Sequence, residues 1–86
     1  MPKQRTEQET YAREMGLDQK VEYDGSNNAI YVGRAFPGVL ATSALWQIFK
    51  MEYDSSGNMT TLRWADKNDA FDKIWNNRTS YNYVDI

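Results

Sequence analysis

Apolar and polar residues alternate along most of this chain with a period of two, the spacing of a half-buried β-strand. In the first such stretch Val21 and Tyr23 share one face, and Lys20, Glu22 and Asp24 share the other. After a turn cluster at Asp24-Gly25-Ser26-Asn27-Asn28 the alternation resumes. Ala29, Tyr31 and Gly33 interleave with Ile30, Val32 and Arg34, and either set can face inward. Phe36-Pro37-Gly38 stops the strand, because Pro lacks a donor and Gly bends freely.

The longest apolar-rich stretch runs from Leu45 to Tyr53. Leu45, Phe49, Met51 and Tyr53 share one face with Gln47 and form the better core face. Trp46 and Ile48 share the other with Lys50 and Glu52. Apolar residues on both faces predict a central strand, or one covered on its far side. A helix over residues 42–51 is the competing reading, with Thr42 or Ser43 as its cap. A second turn cluster, Asp54-Ser55-Ser56-Gly57-Asn58, leads into a strand from Met59 to Ala65.

The two hairpins nearly repeat each other. Each begins with an apolar residue followed by Glu-Tyr-Asp, at Glu22-Tyr23-Asp24 and at Glu52-Tyr53-Asp54. Arg34 and Arg63 lie on the return strands and are natural cross-strand partners for Glu22 and Glu52. Further on, Phe71, Ile74 and Trp75 fall at i, i+3 and i+4, which predicts a two-turn helix over residues 69–76 capped by Asn68 or Asp69. Residues 79–84 alternate again and predict a terminal strand bearing Tyr81 and Tyr83. The expected fold is mainly β: a small antiparallel sheet or open barrel of four to five strands with one short helix near the C-terminus. Its expected core is Leu45, Phe49, Leu62, Phe71, Ile74 and Trp75, with Trp64, Ile30 and Val32 next.

Residues 1–19 break the pattern and read as a polar arm in front of a β-rich domain over 20–86. Tyr11 and Met15 mark one thin face of a short helix over residues 6–15, ended by Gly16. Such a segment orders only when a partner supplies burial. We therefore expect a mobile arm that the β domain does not need for folding and that reaches a neighbour in an assembly.

Composition narrows the chemistry. The chain of 86 residues has no Cys and no His, which removes thiolate sites, disulfides and imidazole acid–base work. Its 10 basic and 12 acidic residues are interspersed, and no two basic residues are adjacent, so no footprint for nucleic acid exists. No apolar run approaches the roughly 18 residues of a membrane span. The Asp-x-Ser-x-Asn spacing of both turns resembles the opening of a calcium loop. Ala29 and Met59 stand where such a loop needs Gly, and the same residues are ordinary turn formers. Asp66, Asp69 and Asp72 read as loop and helix-start acids; a chain this small has little room for a cleft that would make a catalytic pair of them. We expect no enzyme, no metal and no cofactor.

Three Trp, six Tyr and three Phe are many for a chain this polar. Most are needed to build a small core. Tyr11, Tyr31, Trp46, Trp64, Tyr81 and Tyr83 are the candidate interface anchors. From about residue 28 to 83 the chain resembles small structural proteins of tailed bacteriophage virions. The resemblance rests on Tyr31-Val32-Gly33-Arg34-Ala35, Pro37-Gly38, Thr42-Ser43, Trp46-Gln47-Ile48, Tyr53-Asp54 and Trp64-Ala65-Asp66. It continues through Asn68-Asp69, Phe71-Asp72, Ile74-Trp75 and Arg78. It implies a protein of the virion that acts in repeated copies, by contact with itself as a homo-oligomer or with other virion proteins, in capsid decoration, a tail or an adaptor. The alternative is a small binding module with a Trp/Tyr groove for carbohydrate or peptide.

Overall fold

The computed structural model describes residues 16–84. Four strands form an antiparallel meander: β1 (Asp18–Tyr23), β2 (Ala29–Ala35), β3 (Ala44–Tyr53) and β4 (Met59–Trp64). A two-residue strand, β5 (Lys73–Ile74), pairs with the start of β3 and completes an open five-stranded sheet. The fold is thus the mainly β, open antiparallel sheet that the alternation predicts, and the helical reading of residues 42–51 is replaced by β3.

The repeated turns close in the same way. In the first, Asp24 N–H donates to Asn28 O and Asn27 N–H to Asp24 O, at 2.9 and 3.1 Å; in the second, Asp54 and Asn58, and Gly57 and Asp54, do the same at 2.9 and 3.1 Å. The left-handed position falls on Asn27 (φ 65°) in one and on Gly57 (φ 84°) in the other. Asp24 Oδ1 accepts from Ser26 N–H at 2.8 Å and Asn28 N–H at 3.0 Å. Asp54 Oδ1 accepts from Ser56 and Asn58 N–H at 3.0 and 2.9 Å. The Asp-x-Ser-x-Asn spacing therefore serves the turn itself. A bulge follows Glu22 in one hairpin and Glu52 in the other, again at matching places. Both turns lie at one end of the sheet, and Tyr53 Oη ties the hairpins together there by donating to Ala29 O at 2.7 Å.

β3 is the central strand and both its faces are covered. On one face Trp46 and Ile48 pack with Ala35, Ala65, Trp75 and Tyr83. On the other Phe49 and Met51 pack with Val32, flanked by Val21, Tyr53 and Trp64. The first face is closed by the C-terminal segment, which leaves β4, turns at Ala65–Lys67, rejoins β3 through β5 and ends in a 3-10 helix at Trp75–Ser80.

Several expectations need correction. The C-terminal helix is a 3-10 turn at Trp75–Ser80 rather than two α-helical turns over 69–76. Asn68 Oδ1 accepts from Ala70 N–H at 3.1 Å, a local turn that competes with a helix start. Lys73 and Ile74 then align with Trp46 and Ala44 in the sheet. Residues 81–84 form no strand; Asp66 and Asn82 instead hold one another through Asp66 N–H to Asn82 O at 2.8 Å and Asn82 N–H to Asp66 Oδ1 at 2.9 Å. Leu45 and Leu62, expected in the core, are 53% and 40% exposed. Leu45 sits at the irregularity where β3 meets β5, and Leu62 lies on the edge strand β4. Phe71 and Ile74 are half-buried, Phe71 against Phe36 with ring centroids 5.5 Å apart. Glu22 does not pair with Arg34; its Oε1 accepts from Arg78 Nε at 2.7 Å. The expected Glu52–Arg63 pair is present, at 3.6 Å. The expected helix over residues 6–15, with Tyr11, lies outside the described residues.

Candidate functional site

Four of the six candidate anchors come together, and they do so inside. Trp46 is 1% exposed and Tyr83 is buried; Tyr31 and Tyr81 pack against the same cluster. The polar handles of these rings are engaged within the fold. Trp46 Nε1–H donates to Leu40 O at 2.9 Å, and Tyr83 Oη donates to Arg78 O at 2.7 Å. Tyr81 Oη accepts from Ile74 N–H at 2.7 Å. Tyr31 and Tyr83 meet edge-on at 5.6 Å, and the Lys50 ammonium lies 5.7 and 5.9 Å from their two centroids. Burial, above all, pushes the Tyr83 hydroxyl well above the usual tyrosine range. On the same face Arg78 is held over Trp75, 4.6 Å from the ring, while it pairs with Glu22. Trp46 and Tyr83 are thus core residues of this chain and are not available as surface anchors. Trp64, on the opposite face, packs edge-on against Phe49 at 5.1 Å and is half-buried.

The surface available for contact is elsewhere. Strand pairing puts Tyr23, Leu45, Met59 and Leu62 on the same face as Val32, Phe49 and Met51. Tyr23 is 59% and Met59 50% exposed, with Leu45 and Leu62 as given above. Every large exposed hydrophobic of the strands among the described residues therefore lies on this one face, around the buried Val32, Phe49 and Met51. Tyr23, Met59 and Leu62 all lie toward the turn end, Tyr23 on the margin strand β1 and Met59 and Leu62 on the opposite margin β4, whose outer backbone groups lack a strand partner among the described residues. Sequence alternation placed Met59 and Leu62 on a strand. It gave no sign that they would be at a margin, because strand order is set by the whole chain.

At the other end this face is polar. Gln19 aligns with Arg34, and Arg34 with Gln47, in one row across β1, β2 and β3. The Arg34 guanidinium lies 5.1 Å from the centroid of Phe49. Gln47 Nε2 donates to Asp69 O at 2.9 Å. The Oε1 atoms of Gln19 and Gln47 are buried and accept no hydrogen bond.

Between the hairpins is a shallow depression of about 520 Å³ lined by Asp24, Ile30, Lys50, Met51, Glu52, Tyr53 and Thr60. Tyr53 is its one ring, and that hydroxyl is engaged by Ala29. Burial, with Asp24 and Tyr23 nearby, raises the Tyr53 hydroxyl above its ordinary value. Asp66, Asp69 and Asp72 do not form a cleft. Asp66 caps Asn82, Asp72 pairs with Lys73, and Asp69 contributes its carbonyl to Gln47. Among the described residues no three acidic side chains are placed to hold a metal ion, and no helix is long and apolar enough to cross a membrane.

No protein family, no curated protein and no solved structure matches this chain.

Proposed function

We propose that this chain is a structural protein that acts by protein–protein contact in repeated copies, as a component of a tailed-bacteriophage particle. The observation that carries the contact reading is the asymmetry of the sheet. One face is closed by the chain's own C-terminal segment. The other exposes Met59 and Leu62 on the margin strand β4, and Tyr23 on β1 at the opposite margin. Exposed apolar side chains next to unpaired strand backbone form a surface that a second β-edge or an apolar patch completes. The virion assignment rests on the sequence resemblance. The alternative of an aromatic ligand groove is weakened, because Trp46 and Tyr31, which would line it, support the core instead.

The contact reading is tested by sedimentation of the full chain over a range of concentrations, alone and with Leu62→Lys and Met59→Lys together. Concentration-dependent association that the double variant weakens at least tenfold, with its melting temperature retained, is the expected result. Association that is the same in both proteins would refute this surface. The virion reading is tested separately, by mass spectrometry of purified phage particles carrying the gene. Absence of the chain from intact particles would refute it.

A further inference from the structure

The two hairpins are equivalent in register as well as in sequence. Val21 stands opposite Val32 in the first and Met51 opposite Leu62 in the second, each residue thirty positions from its counterpart (21 to 51, 32 to 62). Their bulges and turn hydrogen bonds also fall at matching places. The hairpins meet where β2 pairs with β3, from Tyr31 opposite Lys50 to Arg34 opposite Gln47. Tyr53 Oη closes that junction by donating to Ala29 O at 2.7 Å. The outer margins carry the same parts without a partner. β4 is the counterpart of β2, and β1 of β3; among the described residues neither has a strand on its outer side. Tyr23, the counterpart of Tyr53, is 59% exposed, and its hydroxyl meets no strand carbonyl of the described residues. Met59, the counterpart of Ala29, is likewise exposed.

We propose that β4 of one copy pairs antiparallel with β1 of the next, so that the β2–β3 junction inside the chain is repeated between copies. This rests on the contact reading above and gives it a partner and a register. Because the hairpins share one register, β4 turns outward the backbone groups that β2 turns toward β3, and the hydrogen bonds of the new junction keep the phase of the old one. Carried over from the internal junction, the register sets Leu62 opposite Gln19, Arg63 opposite Asp18 and Trp64 opposite Leu17. The side chains agree with it. Arg63 and Asp18 have opposite charge, and such a pair directly across two strands is favourable. Arg63 is loosely held within its own chain, 3.6 Å from Glu52 and 3.5 Å from Tyr83 O. Asp18 Oδ2 accepts from Gly38 N–H at 3.1 Å, which leaves its Oδ1 for the guanidinium. Trp64 and Leu17 are both half-buried and form an apolar pair. Tyr23 Oη donates to Met59 O of the neighbouring copy, as Tyr53 does to Ala29 within the chain. A contact between unlike margins leaves each copy able to bind on both sides, so the sheet continues into a ring or a filament.

The absence of Cys makes the test direct. Full chain carrying Leu62→Cys is mixed with isotope-labelled full chain carrying Gln19→Cys, and disulfide-linked species are weighed by mass spectrometry after mild oxidation. Opposed Cα atoms of an antiparallel pair stand about 4.5–5.5 Å apart, within the span of a disulfide. The expected product is the dimer of mixed mass, with several-fold less of it when Val21→Cys replaces Gln19→Cys. A dimer of two Leu62→Cys chains as the main product would mean that β4 meets β4; it would overturn the proposal and leave the contact reading standing. Failure of residue 62 to cross-link at all would overturn the proposal too, while sedimentation of the parent chain decides the contact reading separately. Tyr23→Phe removes only a hydroxyl from an exposed side chain. It should weaken association roughly two- to tenfold, the worth of one hydrogen bond, with the melting temperature retained. Association unchanged by Tyr23→Phe would overturn the proposed junction.

Discussion

Gly33 is the floor on which Trp75 rests. A β-carbon at Gly33 would stand 2.6 Å from Trp75 Cε3 and 2.8 Å from Cζ3, and 3.2 Å from Cε3 of Trp46. No heavy-atom contact survives at the first two distances, so the indole of Trp75 packs where only a glycine leaves room. Through this contact the C-terminal segment seals the face of the sheet that holds Trp46 and Ile48.

Gly33→Ala therefore forces Trp75 to move. Overpacking of this kind costs about 1–3 kcal/mol. Urea denaturation should show a lowered midpoint. Trp75→Leu in the same protein should make the Gly33→Ala loss smaller, because the clashing ring is gone. Equal losses in the two backgrounds would mean that Gly33 matters for a reason other than Trp75.

Trp75→Ala removes the largest side chain of the C-terminal seal and uncovers Trp46. Deleting a buried Trp costs about 3–5 kcal/mol. A domain of this size has total stability of that order. The variant should show no cooperative thermal melt by near-ultraviolet circular dichroism. A sharp melt near the parental temperature would contradict this.

The paired turns make a prediction about left-handed backbone. Asn27 and Gly57 occupy equivalent places with φ of 65° and 84°. A side chain other than Asn or Asp is disfavoured there by roughly 1–2 kcal/mol. Gly57→Ala should destabilise by about that amount, whereas Gly57→Asn and Asn27→Gly should stay within about 0.5 kcal/mol of the parent, the range of neutral surface changes. Denaturant midpoints measure all three. Equal tolerance of Ala and Asn at residue 57 would refute the assignment.

The same turns set an acid dependence. The N–H of Asn28, with that of Ser26, holds the Asp24 carboxyl below its ordinary value, and the N–H and side chain of Asn58 do so for Asp54. A carboxylate with a lowered folded-state pKa stabilises the fold fully above its unfolded value of about 3.9. That contribution is lost as pH falls through the folded-state value. Stability should thus decline as the pH falls below about 4, near the unfolded value. Asp24→Asn with Asp54→Asn keeps an acceptor in each turn but cannot titrate, so its urea midpoint should change less between pH 5 and pH 3. An acid loss undiminished in the double variant would assign the effect to other carboxylates.

The alternation of Val21 to Asp24, Ala29 to Ala35, Leu45 to Tyr53 and Met59 to Ala65 carried the two hairpins, while Leu45 to Tyr53 still allowed a helix over residues 42–51 beside the strand that the structure shows. That information is local: period two describes a pleat, and Asp-x-Ser-x-Asn closes a turn through bonds within five residues. Apolar residues on both faces of one strand likewise meant that both would be covered. Only the tertiary structure decided which aromatic residues are inside. Trp46 and Leu45 are adjacent in sequence, yet one is 1% and the other 53% exposed. The difference arises because Trp46 faces the C-terminal segment, with Trp75 seated on Gly33, whereas Leu45 points to the other face at the start of β3. The stripe of Phe71, Ile74 and Trp75 carried a helical period, but Lys73 and Ile74 found backbone partners in β3. Burial and strand margins depend on long-range return of the chain, and residue spacing carries no record of where that return ends.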